Sequence, residues 1–388
     1  MNIRYLKNNI TAVEGFTALG KCIGIKKGRK DFAIIFSEKP CSAAAVYTKN
    51  KVKGAPVLVT KSHLRTGKAR AIVINSGIAN VATGEKGIAD AEETCRLAAK
   101  ELGIKEKEVL VASTGIIGKK LPMELVRKGI KGSRKQLKRI NHAADAILTT
   151  DILKKEMAIK VDNFIIGAIA KGSGMIHPNM ATMLCFITTN ADLSAKELKS
   201  CLQQAAEDTF NMVSVDMDTS TSDMVMLLST NKKKASKKRF QEALNAVCTE
   251  MARKIAADGE GATKLLEVTV KKAKTKADAR KIAKSIISSN LVKCAMFGND
   301  PNWGRIMAAL GTTNAYFKEN KIAIALQGKQ IVKNGIELQK VNWKKISRAL
   351  RKDKVSIGLE LNVGKEQATA YGCDMSYDYI EINAAYHT

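Results

Sequence analysis

Apolar residues recur along this chain in two rhythms. Short β-branched and aromatic runs alternate with longer stretches whose apolar positions fall three and four residues apart, the pattern of strands alternating with helices. Residues 31–38, 56–60 and 69–74 read as strands, the first and third through Phe32-Ala-Ile-Ile-Phe36 and Ala71-Ile-Val-Ile74. A helix is predicted over 86–102, with Ile88, Ala91, Cys95, Ala98 and Leu102 on one face and Gly103 as its stop. A strand from Val109 runs into the glycine turn at Gly115 and Gly118, and helical segments fill 122–148, interrupted near Gly129 and Gly132. Strands follow at 156–161 and 164–170, and another after residue 182 reaches about 189.

Ser194-Ala-Lys-Glu197 has the Ser-x-x-Glu form of a capping box, so a helix begins there and buries Leu198, Cys201, Leu202 and Ala205. Further on, the pattern predicts a strand at 224–229, a helix at 237–257, a strand at 265–271, a helix at 276–290 and a helix ending near Gly311. The remainder turns β-rich: a hairpin near 321–333, a short helix near 343–351, and strands near 354–362, 366–372 and 378–383. The reading is an α/β protein with a larger lobe over 1–285 and a smaller one over 286–388. A chain of 388 residues fits two lobes, because single cores stop growing near ~250–300 residues.

Composition narrows the class. No apolar run approaches the ~20 residues of a membrane span, and Met1-Asn-Ile-Arg-Tyr-Leu-Lys7 has no apolar core of a signal peptide. Eight Cys, none within five residues of another, exclude a metal knuckle or a Cys-x-x-Cys motif and read as free thiols in the cytoplasm. Four His leave little scope for a multi-histidine metal site. The net charge of +28 raises nucleic-acid binding as one function class. The basic clusters are hardly mixed with aromatics, 5% of the chain, so stacking platforms for single strands are absent.

Three stretches carry candidate chemistry. In Lys171-Gly-Ser-Gly-Met-Ile-His-Pro-Asn-Met-Ala-Thr182, a glycine-bearing loop lies between two strand-like runs. A Thr hydroxyl needs an adjacent base, and the α-amine of a Thr freed by chain cleavage can serve as one. Such a cleavage would fall between Ala181 and Thr182; the plainer reading is a Thr that starts a strand. Ser113-Thr-Gly-Ile-Ile-Gly118 could present backbone N–H groups to an oxyanion or a phosphate, or be a simple turn. Asp216-Met-Asp218-Thr219 resembles the nucleophile loop of haloacid-dehalogenase-type phosphatases, against a self-bonded acidic turn. It fails as a calcium loop, with Thr221 at the sixth position and Leu227 at the twelfth.

Taken with Asp258-Gly-Glu-Gly-Ala-Thr-Lys264, Phe297-Gly-Asn-Asp-Pro-Asn-Trp-Gly-Arg-Ile306 and Ile382-Asn-Ala-Ala-Tyr-His-Thr388, the first two stretches resemble the ornithine acetyltransferase family, also called glutamate N-acetyltransferase, over the whole chain. The resemblance implies a four-layer αββα sandwich with a smaller C-terminal lobe. It implies self-cleavage at Ala181–Thr182 into chains 1–181 and 182–388, paired as α2β2. Thr182 would carry acetyl from N-acetylornithine to glutamate, with Thr114 and Gly115 as oxyanion hole. Substrate contacts would come from Thr149, Lys171, Thr182, Glu260, Asn383 and Thr388. Glu260 would meet the ornithine ammonium or steady the Thr182 amine, and Thr150 stands beside Thr149 as an alternative. No metal or cofactor is implied, and acetyl-CoA stays open as a second donor. A hydrolase of the same fold, an amidohydrolase or aminopeptidase, is the neighbouring alternative. Three residues depart from the family's usual ones: Ile78 for Asn, Met217 for Gly and Ser222 for Asn. A Met does not readily hold the positive φ open to Gly, so the turn at 217 is where the backbone is expected to differ.

Overall fold

The computed structural model describes residues 2–177 and 183–385. Its first part holds β1 (Ile3–Leu6), β2 (Phe16–Lys21), β3 (Phe32–Tyr47), α1 (Ala55–His63), β4 (Lys68–Ile78), α2 (Gly84–Leu102) and β5 (Val109–Ile116). Two short helices, α3 (Met123–Ile130) and α4 (Ala143–Ala146), precede the hairpin β6 (Lys155–Val161) and β7 (Phe164–Lys171). Next come β8 (Leu184–Asp192), α5 (Ala195–Asp208), β9 (Val213–Ser214), β10 (Met224–Lys234), α6 (Lys237–Ala257) and β11 (Leu265–Ala273). Helices α7 (Lys276–Ser288), α8 (Asn290–Phe297) and α9 (Trp303–Gly311) lead to β12 (Ala323–Leu326), β13 (Lys329–Lys333) and β14 (Ile336–Glu337). The chain ends in α10 (Trp343–Ala349), β15 (Lys354–Glu360), β16 (Glu366–Cys373) and α11 (Tyr377–Ala385).

The larger sheet runs β1-β6-β7-β8-β10-β3-β4-β5, with β2 also on β3. Strand β3 bends it. The first half of β3 pairs with β2 and β4, and the second half with β10. Register slips between Phe36 and Cys41, where Glu38, Lys39 and Pro40 are exposed. A proline has no ladder N–H to lose at such an irregularity. The bend folds the sheet into two leaves. Ala33, Ile35, Ile72 and Ile74 of one leaf share a core with Ile169, Phe186, Met224 and Met226 of the other. Their alternates point outward, as strand geometry requires. Phe32, Ile34, Val73 and Val111 pack on Cys95, Ala98 and Val126 of α2 and α3. Ile166, Ala168, Cys185 and Val225 pack on Leu202, Leu244 and Met251 of α5 and α6. The result is the four-layer helix–sheet–sheet–helix sandwich.

A second sheet, β14-β13-β12-β15-β11-β16-β9, completes the molecule. Leu266, Val268 and Val270 of β11 face Ile282 and Ile286 of α7. Tyr371 and Cys373 of β16 face the other way, into the core around α6. This sheet therefore draws strands from both sides of residue 285.

Two predicted strands are helices. Residues 56–60 lie in α1, with Pro56 in its first turn, where the missing N–H costs nothing. A short apolar run has no period that separates a strand from a buried helix. Here the helix shields the edge of β5. Thr60 Oγ1 donates to Val111 O (2.7 Å) and accepts from Val111 N (2.8 Å), and His63 Nδ1 lies 2.8 Å from Val109 O. Residues 378–383 lie in α11, which joins neither sheet. The eight cysteines are free; Cys185 is buried as expected, but Cys294 is exposed. Among the described residues no helix is long and apolar enough to cross a membrane.

Candidate active site

Antiparallel pairing of β7 with β8 sets Lys171, the last residue of β7, opposite Leu184. The loop that leaves β7 is held from three directions. Gly172 N donates to Asp151 Oδ1 (2.6 Å). Ser173 Oγ donates to Asp258 O (2.6 Å), and Glu260 N donates to Ser173 O (3.1 Å). Met175 N and Ile176 N donate to the two oxygens of Asp216, at 2.6 and 2.8 Å. Val215 N donates to Ile176 O (2.7 Å), Thr219 Oγ1 donates to His177 O (2.9 Å), and His177 Nδ1 lies 3.0 Å from Ser214 Oγ. Met175 itself sits at φ 55°, a left-handed conformation that a side chain disfavours. Residues 178–182 lie outside the described residues, so Ala181 and Thr182 are not placed; neither is Thr388.

The acidic turn thus does structural duty, clamping this loop through Asp216. The glycine-to-methionine departure is accommodated: Met217 holds φ 70° with its side chain exposed. Ser222 is buried, and its Oγ stands 3.5 Å from where a Cβ on Gly54 would lie.

Beneath the loop lies a buried ionic group. Lys155 Nζ donates to Asp151 Oδ1 (2.7 Å) and Asp258 Oδ2 (2.5 Å), and all three side chains are almost fully enclosed. Asp258 also accepts from Ile152 N (3.2 Å) and Leu153 N (3.2 Å). Burial pushes the Asp151 carboxyl up, but the charges of Lys171 and Lys155 and their hydrogen-bonding neighbours outweigh it, holding the group well below the usual carboxylate range. Asp223 responds oppositely: burial pushes its carboxyl well above the ordinary value, against the pull of Ser220 and Lys171. Its Oδ2 has no hydrogen-bond partner among the described residues. Burial also brings His177 down to about 4, with the Lys284 charge adding to the effect.

Thr149, Glu260 and Asn383 converge on this frame. Thr149 N donates to Asp151 Oδ2 (3.0 Å), which ties it to the carboxylate that holds Gly172. The Glu260 carboxylate lies against Gly174, so closely that a Cβ there would stand 2.2 Å from Oε2. Asn383 Nδ2 donates to Glu260 Oε2 (3.0 Å). Asn383 reaches it because α11 is docked in place. Tyr377 stacks edge-on against Phe297 (5.7 Å), Ser376 Oγ donates to Gly261 O (2.5 Å), and Asp374 accepts from Thr263 N and Lys264 N (2.9 Å each). Lys264 Nζ in turn donates to Met296 O (2.6 Å) and Asn299 Oδ1 (2.8 Å), and Asn302 caps α9. The motif at 297–306 therefore acts here as scaffold for the tail.

Thr114 and Gly115 close the adjacent strand ends. Gly115 (φ 127°) pairs with Gly77 (φ 109°), and a Cβ on Gly115 would meet Gly77 C at 2.2 Å. Neither position admits a side chain. Thr114 is buried, and Ile78, the hydrophobic departure, is half-buried with its carbonyl accepting from Asn75 Nδ2 (2.7 Å). Over Gly77 passes Lys26, whose Nζ donates to Leu148 O (2.6 Å) next to Thr149. Lys26, Asp151, Lys155 and Asp258 escaped the sequence reading as site residues, whereas Asp216 enters it only as a phosphatase-type nucleophile and here holds the loop backbone. Asp258 begins a stretch already singled out and Asp151 directly follows the Thr149–Thr150 pair; Lys155 gave no signal. Among the described residues no group of three His, Cys, Asp or Glu could hold a metal.

The sequence model of the ArgJ family matches residues 17–388. The arginine biosynthesis bifunctional protein ArgJ of Bacillus anthracis is 46% identical over 395 residues, covering 98% of this chain and 97% of that protein. That of Symbiobacterium thermophilum is 46% identical over 403 residues and covers 100% of both. Among solved structures, ornithine acetyltransferase complexed with ornithine from Mycobacterium tuberculosis is 41% identical, with a TM-score of 0.45 over 46% of this chain and 100% of that one.

Proposed function

The chain belongs to the ArgJ family of arginine-biosynthesis acetyltransferases, and on that premise we propose that it moves acetyl from N-acetylornithine to glutamate on Thr182. The observation that carries this assignment of residues is the convergence of Thr149, Lys171, Glu260 and Asn383 around one clamped loop that leads into Thr182. Cleavage of the Ala181–Thr182 bond frees the Thr182 α-amine, leaving chains 1–181 and 182–388 associated as α2β2 in the cytoplasm.

The chemistry then balances in two steps. The α-amine takes the Thr182 Oγ proton as Oγ attacks the acetamide carbonyl. Backbone donors at Thr114 and Gly115 hold the oxyanion, and its collapse breaks the C–N bond, with the proton passing to the departing ornithine amine. The glutamate amine attacks the resulting ester, forms N-acetylglutamate and returns a proton to Oγ. Lys171 pairs with the α-carboxylate common to both amino acids. Glu260, held by Asn383, meets the ornithine ammonium. Thr388 completes the substrate contacts from the tail. None of these steps draws on a metal or cofactor; acetyl-CoA remains a second donor to be assayed.

A denaturing gel of active enzyme tests the reading. Two bands sized for 1–181 and 182–388 are expected, against one uncleaved, inactive band for Thr182→Ala. A single full-length band from active protein overturns it. Assaying N-acetylornithine with and without glutamate separates transfer from hydrolysis.

A further inference from the structure

We propose that Lys26 joins Lys171 at the substrate α-carboxylate, as a second cation that seats both substrates in their half-reactions. The inference deepens the function proposed above and rests on it. In N-acetylornithine the α-carboxylate lies three bonds from the acetyl carbonyl carbon, within about 4 Å. When the glutamate amine attacks the acetyl-Thr182 ester, the bond it forms gives the α-carboxylate of glutamate the same three-bond separation. The carboxylate seat is therefore one place used twice, and it must adjoin the turn that holds the oxyanion.

Lys26 meets that constraint. Its own turn is fixed: the buried carboxylate of Asp31 accepts from Ile23 N (2.7 Å), Gly24 N (3.1 Å) and Lys26 N (2.8 Å). From there the stem crosses Gly77, where an added Cβ would stand 3.0 Å from Lys26 Cγ, and Gly77 lies against Gly115. The ammonium donates to Leu148 O (2.6 Å), one residue before Thr149, and the charges of Asp151 and Lys171 both act on it. One side chain thus runs from the oxyanion turn to the end of the site where Thr149 and Lys171 stand.

Charge supplies the second argument. Lys155 is spent on Asp151 and Asp258, and Asp151 also accepts from Gly172 N and Thr149 N. Among the described residues neither Lys26 nor Lys171 has an ion pair of its own, although Lys171 is buried and Lys26 half-buried. Arg29, which donates to Thr149 O (3.2 Å), is exposed. Burial and the nearby Arg29 charge bring the Lys26 ammonium down to about 8, against the pull of Asp31 and Asp151. It is still charged at neutral pH, and Leu148 O occupies one of its three donors. Two neighbouring ammonium groups, poorly solvated and lacking a paired carboxylate, make a seat for one.

The test compares each substrate with its α-carboxamide, which keeps the shape and removes the charge. N-acetylornithine and its α-amide serve as donors, with acetylation of chain 182–388 followed by mass; glutamate and its α-amide serve as acceptors. Lys26→Met is expected to raise KM for both acids roughly ten- to hundredfold with kcat little changed, and to reduce the preference for acid over amide by a similar factor in both half-reactions. Lys26→Arg is expected to retain the preference. Lys26→Gln can still donate to Leu148 O but carries no charge, so it should lose the preference as Met does. An unaltered preference in Lys26→Met and Lys26→Gln, or a loss confined to one half-reaction, overturns the proposal: Lys26 would then only shape the Thr149 segment. A wild-type enzyme that takes no acetyl group from N-acetylornithine instead overturns the parent reading.

Discussion

The carboxylate of Glu260 occupies the space that a side chain on Gly174 would need, with Oε2 2.2 Å from the position of the missing Cβ. The loop glycine and the loop acid, far apart in sequence, are two halves of one fit. Gly174→Ala is expected to push Glu260 off Asn383 and lower the acetyl-transfer rate roughly ten- to hundredfold. In the Glu260→Ala background the same substitution should cost little more, because the displaced group is already gone. Rates of the single and double variants check this.

Met217 holds a left-handed conformation at φ 70° with its side chain exposed. Left-handed backbone costs an ordinary residue about 1–2 kcal/mol, and glycine gives back about 0.5–1 kcal/mol through its greater unfolded freedom. Met217→Gly is therefore expected to stabilise the protein by about 0.5–1 kcal/mol, read as a higher denaturation midpoint.

Lys155 bridges two buried carboxylates, and removing it takes the ion pair from both, leaving backbone donors and, for Asp151, the Lys171 charge. Lys155→Met should destabilise by about 3–5 kcal/mol. The pH dependence has a definite sign. Native Asp151 is held below its ordinary value of about 3.9, so its contribution is full above that pH and is lost as pH falls below it. Loss of the Lys155 charge raises the native value, so acid unfolding of Lys155→Met should begin at higher pH than in wild type, as followed by circular dichroism.

His177 titrates near 4 in the native protein, below the ordinary value of about 6.5. Its neutral ring supports the loop fully above about 6.5, and that support is lost as pH falls from there through 4. With only four histidines in the chain, its resonance can be followed by NMR. It should keep its neutral-ring shifts until pH approaches 4.

Much of this was legible where local chemistry decides the outcome. Ser194 and Glu197 do form a reciprocal cap, and α6 begins and ends where the apolar period says, at Lys237 and Ala257. Local pattern failed where the environment decides. Val57 and Val59 favour a strand in isolation, but their segment was needed as a helix to cover β5. The alternation in Tyr377–Asn383 found no sheet edge to join. At the site, the sequence held Glu260 and Asn383 as separate candidates; only the docking of α11 by Tyr377 and Ser376 makes them neighbours. Lys155 and Lys26 stood out from none of the other lysines, because what distinguishes them is burial beside carboxylates and glycines distant in sequence.

The strand order has a further consequence for the proposed cut at Ala181–Thr182. Strands β8 and β10 belong to the later chain, yet they lie between β7 and β3 of the earlier one. The cut would sever the polypeptide but leave the later chain inserted as a wedge with a ladder on each flank, six register pairs to β7 and six to β3. Separation of the two chains would require breaking both ladders. Isotopically labelled and unlabelled enzyme, mixed under native conditions, should keep their original partners for as long as the protein stays folded.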